Sequence, residues 1–129
     1  MTKSAAKGGR AARGAKARRD GRAGEVWAAL YLMAKGYRIL GFRMATRQGE
    51  IDLLVLRGEI LAVVEVKRRA TLAAALEAVG PNQRERLRRA ARQIAARRPA
   101  LAHVAVRLDL MALAPGRWPR HIRDAWAGL

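Results

Sequence analysis

Apolar and polar positions alternate with a period of two from Gly49 to Lys67 (GEIDLLVLRGEILAVVEVK), which predicts two strands. One face carries Glu50, Asp52, Leu54 and Leu56 from the first strand and Leu61, Val63, Glu65 and Lys67 from the second. The other carries Ile51, Leu53, Val55, Ala62, Val64 and Val66. Between them stands Arg57-Gly58-Glu59-Ile60, and glycine at the first central position of a two-residue loop is what a type II′ hairpin turn needs, because φ is positive there. Such a turn fixes the register, so that 57 faces 60, 54 faces 63, 52 faces 65 and 50 faces 67.

The flanking chain reads as follows. Ala23, Val26, Trp27, Leu30, Tyr31 and Ala34 keep helical spacing and predict a helix over 22–35, with Asp20 as its cap and Gly36 as its end. Its apolar run is too short to span a membrane. A strand over 37–44 follows, then a polar loop over 43–48. Helical spacing returns at Leu72, Leu76 and Val79, and again at Gln83, Leu87, Ala90, Ala91 and Ile94. Pro81 between the two sets either kinks one helix or starts a second. Residues 101–113 alternate loosely as a strand, and Pro115-Gly116 makes a turn. A short last strand over 117–122 and a terminal turn around Asp124-Ala125-Trp126 complete the chain. Helix, three strands, helix, one or two strands predicts an α/β or α+β layer fold, a mixed sheet flanked by helices.

At 129 residues the chain amounts to one domain, placed over 21–129. Residues 1–20 contain no large apolar side chain after Met1 and one acid, Asp20, so they read as a disordered basic arm without the apolar core of a secretory signal. That arm either tracks phosphates or is a solvated tail. The net charge of +17 favours a polyanionic partner. There is no cysteine, which excludes disulfides and thiolate metal sites and fits a cytoplasmic location. On the second helical segment Arg84, Arg86, Arg88, Arg89, Arg92, Arg97 and Arg98 form a basic surface balanced by Glu85 alone, so phosphate contact is expected there.

Charge on the hairpin changes the picture further. Asp52 and Glu65 face each other on strands with two apolar faces, and at about 5 Å and an effective dielectric near 20 two carboxylates repel by roughly 3 kcal/mol. A buried pair of this kind either shares a proton or holds a cation. Lys67 stands beside it, across from Glu50. Glu25, in the first turn of the first helix above Ala29 and Leu32, either complements the helix dipole or points toward the carboxylates. Gln83 shares its helical stripe with Leu87 and Ile94, which turns an amide inward. His103 and His121 lack metal-ligand spacing and read as structural or exposed.

Asp52 followed by Glu65-Val66-Lys67 resembles the PD-(D/E)XK nuclease superfamily. The wider set of Gly24-Glu25, Ala28, Leu32, Gly36-Tyr37, Gly49-Glu50-Ile51-Asp52-Leu53, Val64-Glu65-Val66-Lys67-Arg68-Arg69, His121-Ile122 and Ala125 resembles the YraN family of small bacterial proteins over residues 22–127. That family in turn is similar to the archaeal Holliday junction resolvases. The resemblance implies a restriction-endonuclease-like core in which Asp52, Glu65 and the Val66 carbonyl hold Mg²⁺ or Mn²⁺, completed by Glu25. It also implies that Lys67 orients a water or neutralises developing charge, and that Gln83 contacts a substrate phosphate or Glu65.

The expectation is a metal-dependent endonuclease acting on branched or flapped DNA, with Arg68, Arg69, Arg84, Arg88 and Arg92 on the nucleic acid. The alternative is a non-catalytic nucleic-acid-binding protein that keeps the fold. An RNA-processing factor shares the charge argument, and the lack of an aromatic-rich strand counts against single-stranded recognition. No membrane partner is expected. A homodimer would suit a two-fold junction, although nothing in the chain requires one.

Overall fold

The computed structural model describes residues 23–128. The basic arm over 1–20, the Asp20 cap and the start of the first helix at Arg22 lie outside the described residues. Helix α1 runs over 23–34. It closes at Gly36, where φ is +91° and the Tyr37 and Gly36 amides donate to the carbonyls of Leu32 and Met33. Glycine allows that left-handed residue, and the paired bonds satisfy carbonyls the helix end would otherwise leave bare.

Strands β1 (Arg38–Thr46), β2 (Gly49–Arg57) and β3 (Ile60–Arg68) follow as an antiparallel meander. Helices α2 (Leu72–Glu77) and α3 (Pro81–Arg97) then cross to β4 (Ala105–Leu113), which lies parallel to β3, and β5 (Arg120–Ile122) closes the edge. The five strands stand in chain order in one mixed sheet. A parallel neighbour needs a long crossover, and the two helices supply it. This is an α/β architecture with helices on both faces, consistent with a restriction-endonuclease-like fold. No helix among the described residues is long and apolar enough to cross a membrane.

The two faces bury separate cores. Ala28 and Leu32 of α1 pack with Leu53, Val55, Ala62, Val64 and Met111 on one side. On the other, Ala75 of α2, Val79 between the two helices, and Leu87, Ala90 and Ala91 of α3 pack with Leu54, Leu61, Val63, Leu108 and Leu110. The hairpin has the expected register, pairing Arg57 with Ile60, Leu54 with Val63 and Leu53 with Val64. At its tip Gly58 has φ +57° while Glu59 is not left-handed, as a type II′ turn requires.

Three boundaries differ from the sequence reading, and the alternative left open at Pro81 is resolved. β1 extends to Thr46 through the expected polar loop, because pairing with β2 continues to Thr46 and Gly49. Pro81 starts a second helix, with Gly80 in extended conformation before it. β4 begins at Ala105, since Pro99–Leu101 forms a 3₁₀ turn first. The last strand is confined to Arg120–Ile122. Ile51, expected opposite the α2/α3 face, packs in the α2/α3 core. Strict alternation fails there, where no pair is made between Phe42–Leu53 and Met44–Ile51 and Arg43 on β1 has φ +50°.

Candidate active site and basic surface

The β2–β3 ladder ends at Leu53–Val64, one pair short of Asp52 and Glu65. Beyond it the two carboxylates take over the bonding that backbone would otherwise make. The Val66 amide donates to Asp52 Oδ2 at 2.8 Å, and the Asp52 amide points at Glu65 Oε2 at 3.4 Å. A backbone N–H left without a ladder partner must find another acceptor. In this fork the acceptors are the acids themselves.

Glu65 is 2% exposed. Burial, the charge of Asp52 and a side-chain hydrogen bond to Asp52 push its pKa up to about 8, against a smaller downward pull from the Asp52 amide and Lys67. The pair thus resists carrying two negative charges at neutral pH. Gln83, in the first turn of α3, donates from Nε2 to Glu65 Oε1 at 3.3 Å. Pro81 at the first helical position fixes where α3 starts, and so places this amide over β3.

Of the expected site residues, Asp52, Glu65 and Gln83 are therefore in contact, and Lys67 is close enough to act on Glu65 through its charge. Glu25 is placed differently. Only 8% exposed, it forms an ion pair with Arg43 Nε at 2.9 Å, and Arg43 reaches Glu50 at 3.6 Å. Helix α1 covers the sheet face opposite α3, so Glu25 and Gln83 approach from opposite sides. Among the described residues no three His, Cys, Asp or Glu side chains converge as a metal set. The donors that do meet are two carboxylates, hard oxygen ligands suited to Mg²⁺ or Mn²⁺ and poorly suited to Zn²⁺.

The basic residues divide. Arg68 and Arg69 are exposed where β3 ends, and Arg86, Arg89, Arg92, Arg97 and Arg98 are exposed along and just past α3. Arg88 is half-buried. Arg92 lies 3.9 Å from Glu85. Arg84 is the exception, because its guanidinium sits 5.7 Å over the Trp126 ring and its Nε is buried. Packing on an indole is a structural role as much as a binding one.

A second polar cluster escaped the sequence reading. Asp109 is fully buried on the α1 face and accepts from Arg107 Nε at 2.8 Å and Nη2 at 2.9 Å, and from the Asp124 amide at 3.0 Å. His121 Nε2 lies 2.8 Å from its Oδ2. Burial alone would raise the Asp109 pKa, but the bonds from His121, Arg107 and Asp124 outweigh it and hold the pKa below the usual carboxylate range. Arg107 also donates to Tyr37 Oη at 2.7 Å, and Lys35 Nζ reaches His121 Nδ1 at 2.6 Å. An ammonium has only donors, so Nδ1 accepts and Nε2 carries the hydrogen toward Asp109. His121, whose side chain is 1% exposed, is thus structural, while His103 is exposed. The available signal was Arg107 and Asp109 two apart on a strand whose other positions are apolar.

The model of the family described as uncharacterised protein family UPF0102 matches residues 24–113, from the start of α1 to the end of β4. A UPF0102 protein of Caulobacter vibrioides strain NA1000 is 65% identical over 123 residues, covering 95% of this chain and 98% of its own. One from Maricaulis maris strain MCS10 is 52% identical over 117 residues, 91% of each chain. One from Agrobacterium fabrum strain C58 is 46% identical over 111 residues, covering 86% of this chain and 91% of its own. With the matched span holding α1, the hairpin, its acidic fork and α3, the chain belongs to UPF0102, the YraN family.

Proposed function

We propose that the protein is a metal-dependent endonuclease that hydrolyses phosphodiester bonds in branched or flapped DNA. The observation that carries the reading is the meeting of Asp52 and Glu65 where the hairpin forks, with Gln83 on one acid and Lys67 beside the pair. Two carboxylates held this close, one with its pKa raised to about 8, gain most from a divalent cation that neutralises both. The chemistry such a cation supplies is polarisation of the scissile phosphate and acidification of a water.

The chain's own groups divide the remaining work. Asp52 and Glu65 would hold the cation, with the Val66 carbonyl as a further oxygen. Gln83 keeps the Glu65 carboxylate from rotating away. The Lys67 ammonium orients the attacking water or offsets the charge that grows on the phosphate. The exposed arginines after β3 and along α3 bind flanking phosphates.

A second reading has one observation in its favour. Glu25, expected to complete the cation's shell, is held by Arg43. A non-catalytic nucleic-acid-binding protein would need no third acid.

One assay separates the two. Branched, flapped, linear and single-stranded DNA are incubated with Mg²⁺ or Mn²⁺ and with wild type, Asp52→Ala, Asp52→Asn or Lys67→Ala. Asn keeps an oxygen for the Val66 amide, so its loss of activity is not a folding defect. The expected outcome is cleavage by wild type, a loss of about 10²-fold or more in each variant, and retained binding. Binding without cleavage under every metal and substrate condition refutes the enzyme. In parallel, Mg²⁺ should raise the melting temperature of wild type and not of Asp52→Asn.

A further inference from the structure

We infer that the cavity where β3 and β4 end is a subsite for one unpaired nucleotide, its base stacked on Trp118 and its phosphate held by Arg69, Arg117 and Arg120. The inference deepens the nuclease reading by naming the substrate feature beside the cut.

Trp118 is 73% exposed, the largest exposure among the large apolar side chains described. It is nevertheless not loose. It stacks on Trp27 of α1 with ring centroids 5.8 Å apart and planes 27° from parallel. One face of the Trp118 indole is thus occupied, and stacking limits the ring's freedom before any ligand arrives. An aromatic face that is both restrained and open is what a base can stack on, whatever its identity.

The cavity beside it has a volume of about 320 Å³ and is lined by Arg69, Thr71, Leu113, Arg117, Trp118 and Arg120 among others. Its lining includes three arginines and no acid. That size lies at the small end of ligand pockets, enough for one nucleotide and too little for a duplex. The charge suits phosphate, and the indole suits the base.

Position ties the cavity to the acidic fork. Arg69 follows Lys67 by two residues, and its amide donates to the Leu113 carbonyl at 3.0 Å. Lys67 pairs with Ala112 and Arg68 with Leu113, and both partners line the cavity. Cavity and carboxylates therefore share the carboxyl ends of the parallel strands, the edge at which open α/β sheets bind ligands. A strand entering that edge would place one nucleotide in the cavity and a neighbouring phosphate toward Lys67. A fully paired duplex could not offer the base.

The test is binding by the full chain in EDTA, so that it does not depend on cleavage. Fluorescence anisotropy compares a blunt duplex with the same duplex carrying a single-stranded flap, for wild type, Trp118→Ala and Trp118→Phe. Trp118→Ala should lose about tenfold or more on the flapped DNA and nothing on the blunt duplex, with Phe retaining most of the affinity. The salt dependence of binding should not change, because no charge has been removed. Indole fluorescence of wild type should be quenched by the flap, which decides the matter should circular dichroism show the Ala variant misfolded. Equal losses on both DNAs, no loss on either, or a changed oligomeric state in Trp118→Ala would overturn the inference. Absence of cleavage with Mg²⁺ alongside Trp118-dependent flap binding would refute the nuclease and leave the subsite standing.

Discussion

Replacing Glu65 by Gln tests the fork without adding metal or nucleic acid. Burial and Asp52 raise the Glu65 pKa from 4.5 to about 8. A raised folded-state pKa means the folded protein holds the proton more tightly than the unfolded chain does. The stability this contributes is complete below about pH 4.5 and is lost as pH rises through about 8. At about 1.4 kcal/mol per unit the full shift corresponds to roughly 5 kcal/mol. Burial is the larger cause of that shift and the charge of Asp52 the second. Opening of the fork at high pH will absorb part of it, so an observed change of about 2 kcal/mol is the working figure. Gln keeps an oxygen for the Gln83 amide and gains N–H groups that can donate to Asp52, while carrying no charge. Urea unfolding in EDTA at a series of pH values between 5 and 8 gives the difference between variant and wild type, from which the histidines cancel. Wild type should be at least as stable at pH 5, and Glu65→Gln the more stable at pH 8. Two parallel profiles would show that the acids do not confront each other.

Asp109→Asn should destabilise the fold by about 3–5 kcal/mol by equilibrium denaturation, because it leaves the Arg107 charge facing a neutral amide inside the sheet face. Its pH signature is opposite to that of Glu65. With a lowered folded-state pKa, Asp109 contributes stability above about 3.8 that is lost as pH falls, so the variant's acid limb should be shallower than wild type's. DNA affinity should fall steeply with salt, and Arg89→Gln, on the exposed side of α3, should lower the slope of log K against log salt by about 1. A flat response would remove nucleic acid from the partner list.

The hairpin was readable because two short-range rules agreed: alternation assigned the faces, and Gly58 set the turn and hence the register as far as Leu53–Val64. The end of that ladder was not readable. Opposite Asp52 on β1 stands Arg43, whose φ is positive, and an arginine carries no sequence mark of a left-handed backbone. The same residue decides Glu25, which local spacing left open between the helix dipole and the carboxylates. Its partner comes from a strand 18 positions further on. Trp27 and Trp118 were invisible as a pair for the same reason, since one lies on α1 and the other between β4 and β5. The reading considered aromatics on strands alone, whereas this pair is assembled by a helix and a loop.

The fork explains why an acidic pair can sit in a sheet at all. Had the ladder continued through Asp52 and Glu65, their amides would bond across the strands and the side chains would simply repel from one face. Because it stops, each carboxylate gains something in the folded state: Asp52 accepts the Val66 amide, and Glu65 faces the Asp52 amide and accepts from Gln83. These bonds offset part of the repulsion and fix both acids, while the remaining cost is relieved by whatever neutralises them, a proton below about pH 8 or a cation in its place. The preference for a ligand is therefore set by where backbone pairing ends, and closing the fork by restoring the ladder would remove it even with both acids in place.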